Sequence, residues 1–277
     1  MALIDLDYKS SKLSFQTQLR VFIPTPNSDE ILNRKDSDYF QEGARFQTVY
    51  LLHGAYGDCA DWSGLTSIQR YAQERKVAVV MPSAENGFYQ DMFRGPAWLS
   101  YLGEELPELM CRMFPLSPLR EDTFAVGLSM GGYGAWRLAL TYPQRFSAAA
   151  SLSGALDLKG IMDEIRKGNI AGPFPWDDIF EDADAAAEGK ANLLELIRRG
   201  QQRGQSLPAL FQSCGTEDFT YPANQLIHRS LAGMGVAHTW EEHPGIHDWL
   251  YWDTHVQRAL DWLPLCHAPR MQEGSET

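Results

Sequence analysis

The chain has 277 residues, 44% of them hydrophobic and 22% charged, and a formal net charge of -12. That length suits one large α/β core spanning 1–277, and the acidic balance excludes a surface built for nucleic acid or anionic membrane, both of which need clustered Lys and Arg. Small or neutral partners are favoured, and a homo-oligomer stays open.

The start, MALIDLDYKSSKLSF, lacks a basic segment followed by an apolar one, and no run approaches the roughly 18 apolar residues of a membrane span, so a soluble cytoplasmic protein is expected. Leu19–Pro24 reads as a first strand, the polar stretch Asn27–Gly43 as a surface loop, and Phe46–Leu52 as a buried strand ending at His53-Gly54. A helix is predicted over Thr66–Glu74 and a strand over Val77–Met81, stopped by Pro82. Leu99–Phe114 has helical spacing with a break at Pro107, and Thr123–Val126 is a strand running into a helical pattern at Ala135–Leu140. Phe146–Leu152 is a further strand. From about 157 to 206 the chain turns acidic and rich in Gly and Ala, which reads as an insertion forming a small cap. Regularity returns with a strand at Pro208–Ser213, a helix at Pro222–Met234, a strand at His238–Glu242 and a helix at Trp249–Leu263; the tail Cys266–Thr277 is expected to fray. Strands alternating with helices imply a mostly parallel sheet with helices on both faces, and sites in such folds lie at the carboxyl ends of the strands. Cys59, Cys111, Cys214 and Cys266 are scattered and read as free thiols.

Gly127-Leu128-Ser129-Met130-Gly131 lies where a strand pattern meets a helix pattern and matches G-x-S-x-G. A serine at that turn is strained and crowded, so its neighbours need to lack side chains, and the following helix dipole favours developing negative charge. The plainer alternative is a tight turn with no chemistry, and it is weighed by asking whether a base, an acid and an oxyanion donor follow in the right places. Of seven histidines, His247 sits in a Gly-containing loop after a late strand and is the candidate base; His243 reads as loop packing and His53 as a residue that holds its loop. Asp218, directly after an apolar strand, is the candidate acid, with Glu217 its closest rival and Asp248 better read as a helix cap. The N–H groups of Ala55 or Gly54, together with that of Met130, would form an oxyanion hole. Trp62, Tyr89, Trp98 and Trp176, with Phe88 and Phe180, lie in segments that could wall a substrate pocket. No HxxxH-type pair appears on a predicted helix, and neither a metal nor another cofactor is expected.

The stretches VYLLHGAYGDCADW, FAVGLSMGGYGAWRLAL, CGTEDFTYPANQ and HTWEEHPGIHDWLYWDTHVQRALDWL, within a match from about Val49 to Leu263, resemble the esterase D group of α/β-hydrolases, most closely its tributyrin esterase branch. The resemblance implies an α/β-hydrolase fold and metal-free hydrolysis of short acyl esters through an acyl-enzyme, with Ser129 as nucleophile, Asp218 as acid and His247 as base. Alternatives within the fold are an S-formylglutathione hydrolase, disfavoured by His53-Gly54-Ala55-Tyr56 in the oxyanion loop, and a feruloyl or acetyl-xylan esterase, disfavoured by the lack of secretion and carbohydrate-binding segments. Alternatives of another class are an acyltransferase using the same triad and a non-catalytic binding protein.

Overall fold

The computed structural model describes residues 1–33, 39 and 41–271. Residues 34–38 and 40 of the predicted Asn27–Gly43 loop, and 272–277 of the predicted tail, lie outside the described residues.

The chain opens with an antiparallel ribbon of β1 (Ala2–Lys9) and β2 (Gln16–Ile23). The sequence reading has no β1, although Ile4, Leu6 and Tyr8 alternate with exposed residues and pack against the core. The predicted loop contains a short helix, α1 (Ser28–Leu32), closed by a reciprocal capping box between Asn27 and Glu30. β3 (Ala44–Arg45) precedes β4 (Thr48–Leu52), then come α2 (Asp61–Leu65), α3 (Ile68–Glu74) and β5 (Ala78–Pro82). The predicted break at Pro107 does not occur. After α4 (Trp98–Ser100) the chain widens into a π-helical turn at Tyr101–Glu105 and continues as α5 (Leu106–Met113), where Pro107 occupies the first turn and its missing N–H is tolerated.

β6 (Thr123–Leu128), α6 (Met130–Thr141) and β7 (Ala148–Leu152) follow. Four helices fill the inserted segment, α7 (Leu158–Arg166), α8 (Trp176–Ile179), α9 (Ala183–Glu188) and α10 (Leu193–Gln202). β8 (Ala209–Gly215), α11 (Tyr221–Gly233), β9 (Thr239–His243) and α12 (Trp249–Trp262) complete the alternation. The tail is partly pinned: β10 (Arg270–Met271) pairs with β3, and the Arg270 guanidinium lies 3.0 Å from the buried Asp122 carboxylate.

Among the described residues one sheet runs β1-β2-β5-β4-β6-β7-β8-β9, antiparallel at β1/β2 and β2/β5 and parallel from there on. Both faces are covered, which explains why the central strands are apolar throughout rather than alternating. Tyr50 and Leu52 of β4 join Trp136 and Leu138 of α6 on one face. Val49 and Leu51 point the other way, into a core with Tyr71 of α3 and Val256 and Leu260 of α12. The parallel strands end together, so the loops after β4, β6, β8 and β9 converge at one edge. No helix among the described residues is long and apolar enough to cross a membrane.

Candidate active site

β6 delivers a serine at that edge. Ser129 has φ 53° and ψ -120°, a conformation strained for a residue with a side chain. Its backbone is fully engaged: the N–H donates to Leu152 O at 2.9 Å, and the carbonyl accepts from the N–H groups of Gly132 and Ala155 at 3.0 Å each and of Tyr133 at 3.2 Å. A β-carbon on Gly127 would fall 2.2 Å from the Gly131 carbonyl oxygen, and one on Gly131 would fall 2.4 Å from the Leu52 carbonyl oxygen. Both obstacles are backbone atoms, so no rotamer change could relieve them.

The acid and base loops meet this serine. His247 Nε2 lies 2.9 Å from Ser129 Oγ, and its Nδ1 lies 3.0 and 2.9 Å from Asp218 Oδ1 and Oδ2. The Asp218 side chain is wholly buried while that of His247 is 18% exposed, so the imidazole alone opens towards solvent. The Thr220 N–H and hydroxyl both donate to Asp218 Oδ1 at 2.8 Å. Burial by itself would raise the Asp218 pKa, but the hydrogen bonds and charge of His247 and the donors of Thr220 outweigh it and hold the carboxyl below its ordinary range. An ionised carboxylate can only accept, so Nδ1 of His247 carries the proton and Nε2 presents a lone pair to the serine hydroxyl. The Phe219 ring, 4.5 Å away, and the Trp252 ring, edge-on at 4.9 Å, fix the imidazole from its sides.

The rival carboxylates do other work. Glu217 accepts the Gly245 N–H at 2.6 Å and donates its own N–H to Gly245 O at 3.1 Å, tying the acid turn to the base loop. Asp248 caps α12, accepting the Tyr251 N–H at 2.9 Å. His53 has both nitrogens engaged, Nδ1–H donating to Gly54 O at 2.7 Å and Nε2 accepting the Ala84 N–H at 3.0 Å. Burial lowers its pKa, and the two bonds require the neutral ring. The loop that it anchors comes close to the serine: a β-carbon on Gly54 would lie 3.5 Å from Ser129 Cβ. Gly54, Ala55 and Met130 all line the pocket beside Ser129, and their backbone N–H groups have no acceptor among the described residues.

That pocket has a volume of about 290 Å³. The aromatic wall expected from the sequence is misplaced. Trp62 is 1% exposed and donates its indole N–H to Leu52 O at 3.0 Å; Tyr89 is fully buried and donates its hydroxyl to His53 O at 2.8 Å. Trp98 is buried against Tyr101, and Trp176 stands behind the wall, its ring 5.2 Å from Phe88 and 5.0 Å from Phe174. Phe180 is likewise buried, so of the six aromatics only Phe88 reaches the lining. The inserted segment adds Ile161, Ile165, Ile170, Ala171 and Phe174 to an apolar wall that also includes Leu128, Ala155, Phe219 and Trp252. Tyr56 and Trp249 also line the pocket, as does Asp61, whose pKa is raised by burial and by the nearby Asp58 carboxylate. The isoleucines at 161 and 165 stand one helical turn apart on α7, a signal that reads equally well as core packing.

Residues 31–263 match the model of the Esterase family, described as "Putative esterase". An acetyl esterase of Caldicellulosiruptor saccharolyticus is 30% identical over 267 residues, covering 95% of this chain and 98% of that protein. The structure of the S-formylglutathione hydrolase FrmB from Staphylococcus aureus superposes with a TM-score of 0.82 at 30% identity, over 95% of this chain and 98% of the other. FphF, a fluorophosphonate-binding serine hydrolase of the same organism solved with substrate bound, does so with a TM-score of 0.79, at the same identity and coverage.

Proposed function

The chain belongs to the esterase family and is a serine hydrolase of carboxylic ester bonds with the α/β-hydrolase fold, and from that premise we propose that it hydrolyses short-chain acyl esters through an acyl-enzyme on Ser129, in the manner of the tributyrin esterase branch. The observation that carries the proposal is one imidazole, that of His247, within hydrogen-bond distance of both Ser129 Oγ and Asp218 on the floor of an apolar pocket. Ser129 Oγ attacks the ester carbonyl as Nε2 of His247 takes its proton. The negative charge moves onto the carbonyl oxygen, where the N–H groups of Met130 and of Ala55 or Gly54 receive it, assisted by the N-terminal dipole of α6. The imidazolium, stabilised by Asp218, protonates the departing alcohol; water then enters, gives its proton to His247 and releases the acid.

Pocket size supports short acyl groups, because about 290 Å³ is at the lower end of the range for small-molecule sites. The lining also supports an uncharged ester over an anionic glutathione thioester. Among its described residues there is no Lys or Arg, and Asp61 adds an acidic side chain to the lining. In this reading the chain is one domain over 1–277 with the 157–206 segment as its cap, and the free thiols Cys59, Cys111, Cys214 and Cys266 support a cytoplasmic location. A panel of p-nitrophenyl acetate, butyrate and octanoate with S-formylglutathione tests it. The expected result is a higher kcat/KM on acetate or butyrate than on the other two, and a preference for octanoate or S-formylglutathione would overturn it.

A further inference from the structure

A second cluster lies behind the base loop, on the strand that leads into it. Glu241 and His243 are two residues apart on β9, so their side chains share a face of the sheet, and α12 lays His255 against that face. One oxygen or nitrogen from each of the three lies within 4.8 Å of the others. His243 Nε2 is 3.4 Å from Glu241 Oε2, and the two imidazole rings face one another with centroids 4.6 Å apart and planes inclined by 31°. His255 is 6% exposed and its Nδ1 is buried with no hydrogen-bond partner among the described residues, an orphaned polar atom of the kind that a ligand satisfies.

We propose that Glu241, His243 and His255 form a binding site for a borderline divalent cation of the Zn²⁺ type, separate from the Ser129 centre. Two imidazoles and a carboxylate are a ligand set that suits such an ion, with one coordination position left to water. Tetrahedral ligands on bonds near 2.1 Å stand about 3.4 Å apart, which is the separation that Glu241 and His243 already have. His255, stacked on Tyr251 with ring centroids 3.9 Å apart, would complete the set from α12. The His243 side chain is 34% exposed and Glu241 22%, which leaves a route in from solvent. Arg258 holds Glu241 through two contacts, Nε to Oε2 at 2.5 Å and Nη2 to Oε1 at 3.0 Å, and is the internal cation with which the metal competes. A bound ion would tie β9 to α12, the two elements between which the loop bearing His247 is strung.

The test is Zn²⁺ binding to tag-free, chelator-treated protein by calorimetry, with the thermal midpoint and the visible spectrum of the Co²⁺ form as independent readouts. One equivalent of Zn²⁺ is expected to bind and raise Tm. The partly exposed variant His243→Asn and the buried variant His255→Gln should each weaken binding by more than about tenfold, a loss that even outer-shell changes can produce. Arg258→Gln should tighten it, and His247→Asn, which alters only the Ser129 centre, should leave it unchanged. Absence of binding by folded wild-type protein, or binding that survives His243→Asn but is lost in His247→Asn, would overturn the proposal. Binding is the readout throughout, so failure here and failure of the esterase proposal are separable.

Discussion

Replacing Asp218 by Asn isolates what its charge and its hydrogen-bond polarity do, because the two side chains have nearly the same shape. The Oδ1 position accepts from the Thr220 N–H and hydroxyl at 2.8 Å, so an asparagine will place its oxygen there. Its amide nitrogen then faces His247 Nδ1 at the position of Oδ2, 2.9 Å away. Two donors cannot face each other, so the imidazole shifts its proton to Nε2 and can no longer accept from Ser129. Turning the amide over restores the tautomer but leaves the Thr220 N–H opposite another donor, at about 1–3 kcal/mol, which disfavours the productive form roughly 5- to 150-fold. Loss of the negative charge opposite the imidazolium adds to this. The combined effect should approach the ~10⁴-fold fall in kcat of the serine-protease precedent, or about 5.4 kcal/mol in barrier. Stability should fall too: a carboxyl held below its ordinary pKa stabilises the fold above about pH 3.9, and that contribution is lost as pH drops through the folded-state value. The assay is kcat on p-nitrophenyl butyrate at pH 7.5, with circular dichroism to verify folding. A folded variant that keeps more than about a tenth of wild-type kcat would refute the reasoning, since the wrong tautomer and the lost charge together remove far more than that.

Further expectations rest on other parts of the site. Gly127→Ala drives a β-carbon to within 2.2 Å of the Gly131 carbonyl oxygen, so the elbow must open; a loss of about 1–3 kcal/mol or more, read as a lowered Tm together with reduced kcat, is expected. An unchanged melting curve would mean that the turn is not close-packed. Burial lowers the His53 pKa, so the unfolded chain takes up a proton at higher pH than the folded one; the resulting stability is full above about pH 6.5 and declines as pH falls towards the folded-state value. Urea unfolding between pH 7.5 and about pH 5 should therefore show a shallower pH slope for His53→Asn than for the wild type, and identical slopes would contradict the structural role of this ring. Ile165→Trp fills the wall contributed by α7 and should raise the acetate-to-butyrate ratio of kcat/KM by about tenfold or more. No change in that ratio would place the acyl group elsewhere.

The fold was legible because a doubly covered parallel sheet writes itself as short apolar runs between helical patterns, and β4 to β8 all fall on such runs. The convergence of Ser129, Asp218 and His247 was legible for a related reason: each follows a recognisable strand, and parallel strands carry their following loops to one edge. Strand β1 left only a weak trace in the alternation of Ile4, Leu6 and Tyr8, because the adjoining Ala2 and Leu3 are apolar as well and blur the period. Pocket walls were not legible. Trp62, Tyr89 and Trp98 are as apolar as Phe88, and only the tertiary arrangement decides which of them turns its face to the cavity. The Glu241, His243 and His255 cluster has no local sequence signature, because it joins a strand to a helix.

The most direct measurement is covalent labelling with an alkyl fluorophosphonate, followed by intact mass and peptide mapping. If Ser129 is the nucleophile activated by His247, the wild-type protein gains one phosphonyl group, carried by the peptide that contains Gly127-Leu128-Ser129-Met130-Gly131, and loses esterase activity in proportion. Ser129→Ala should gain none and hydrolyse no ester above background. A label on any other residue, or ester hydrolysis retained by a folded Ser129→Ala protein, would contradict the assignment of the catalytic centre.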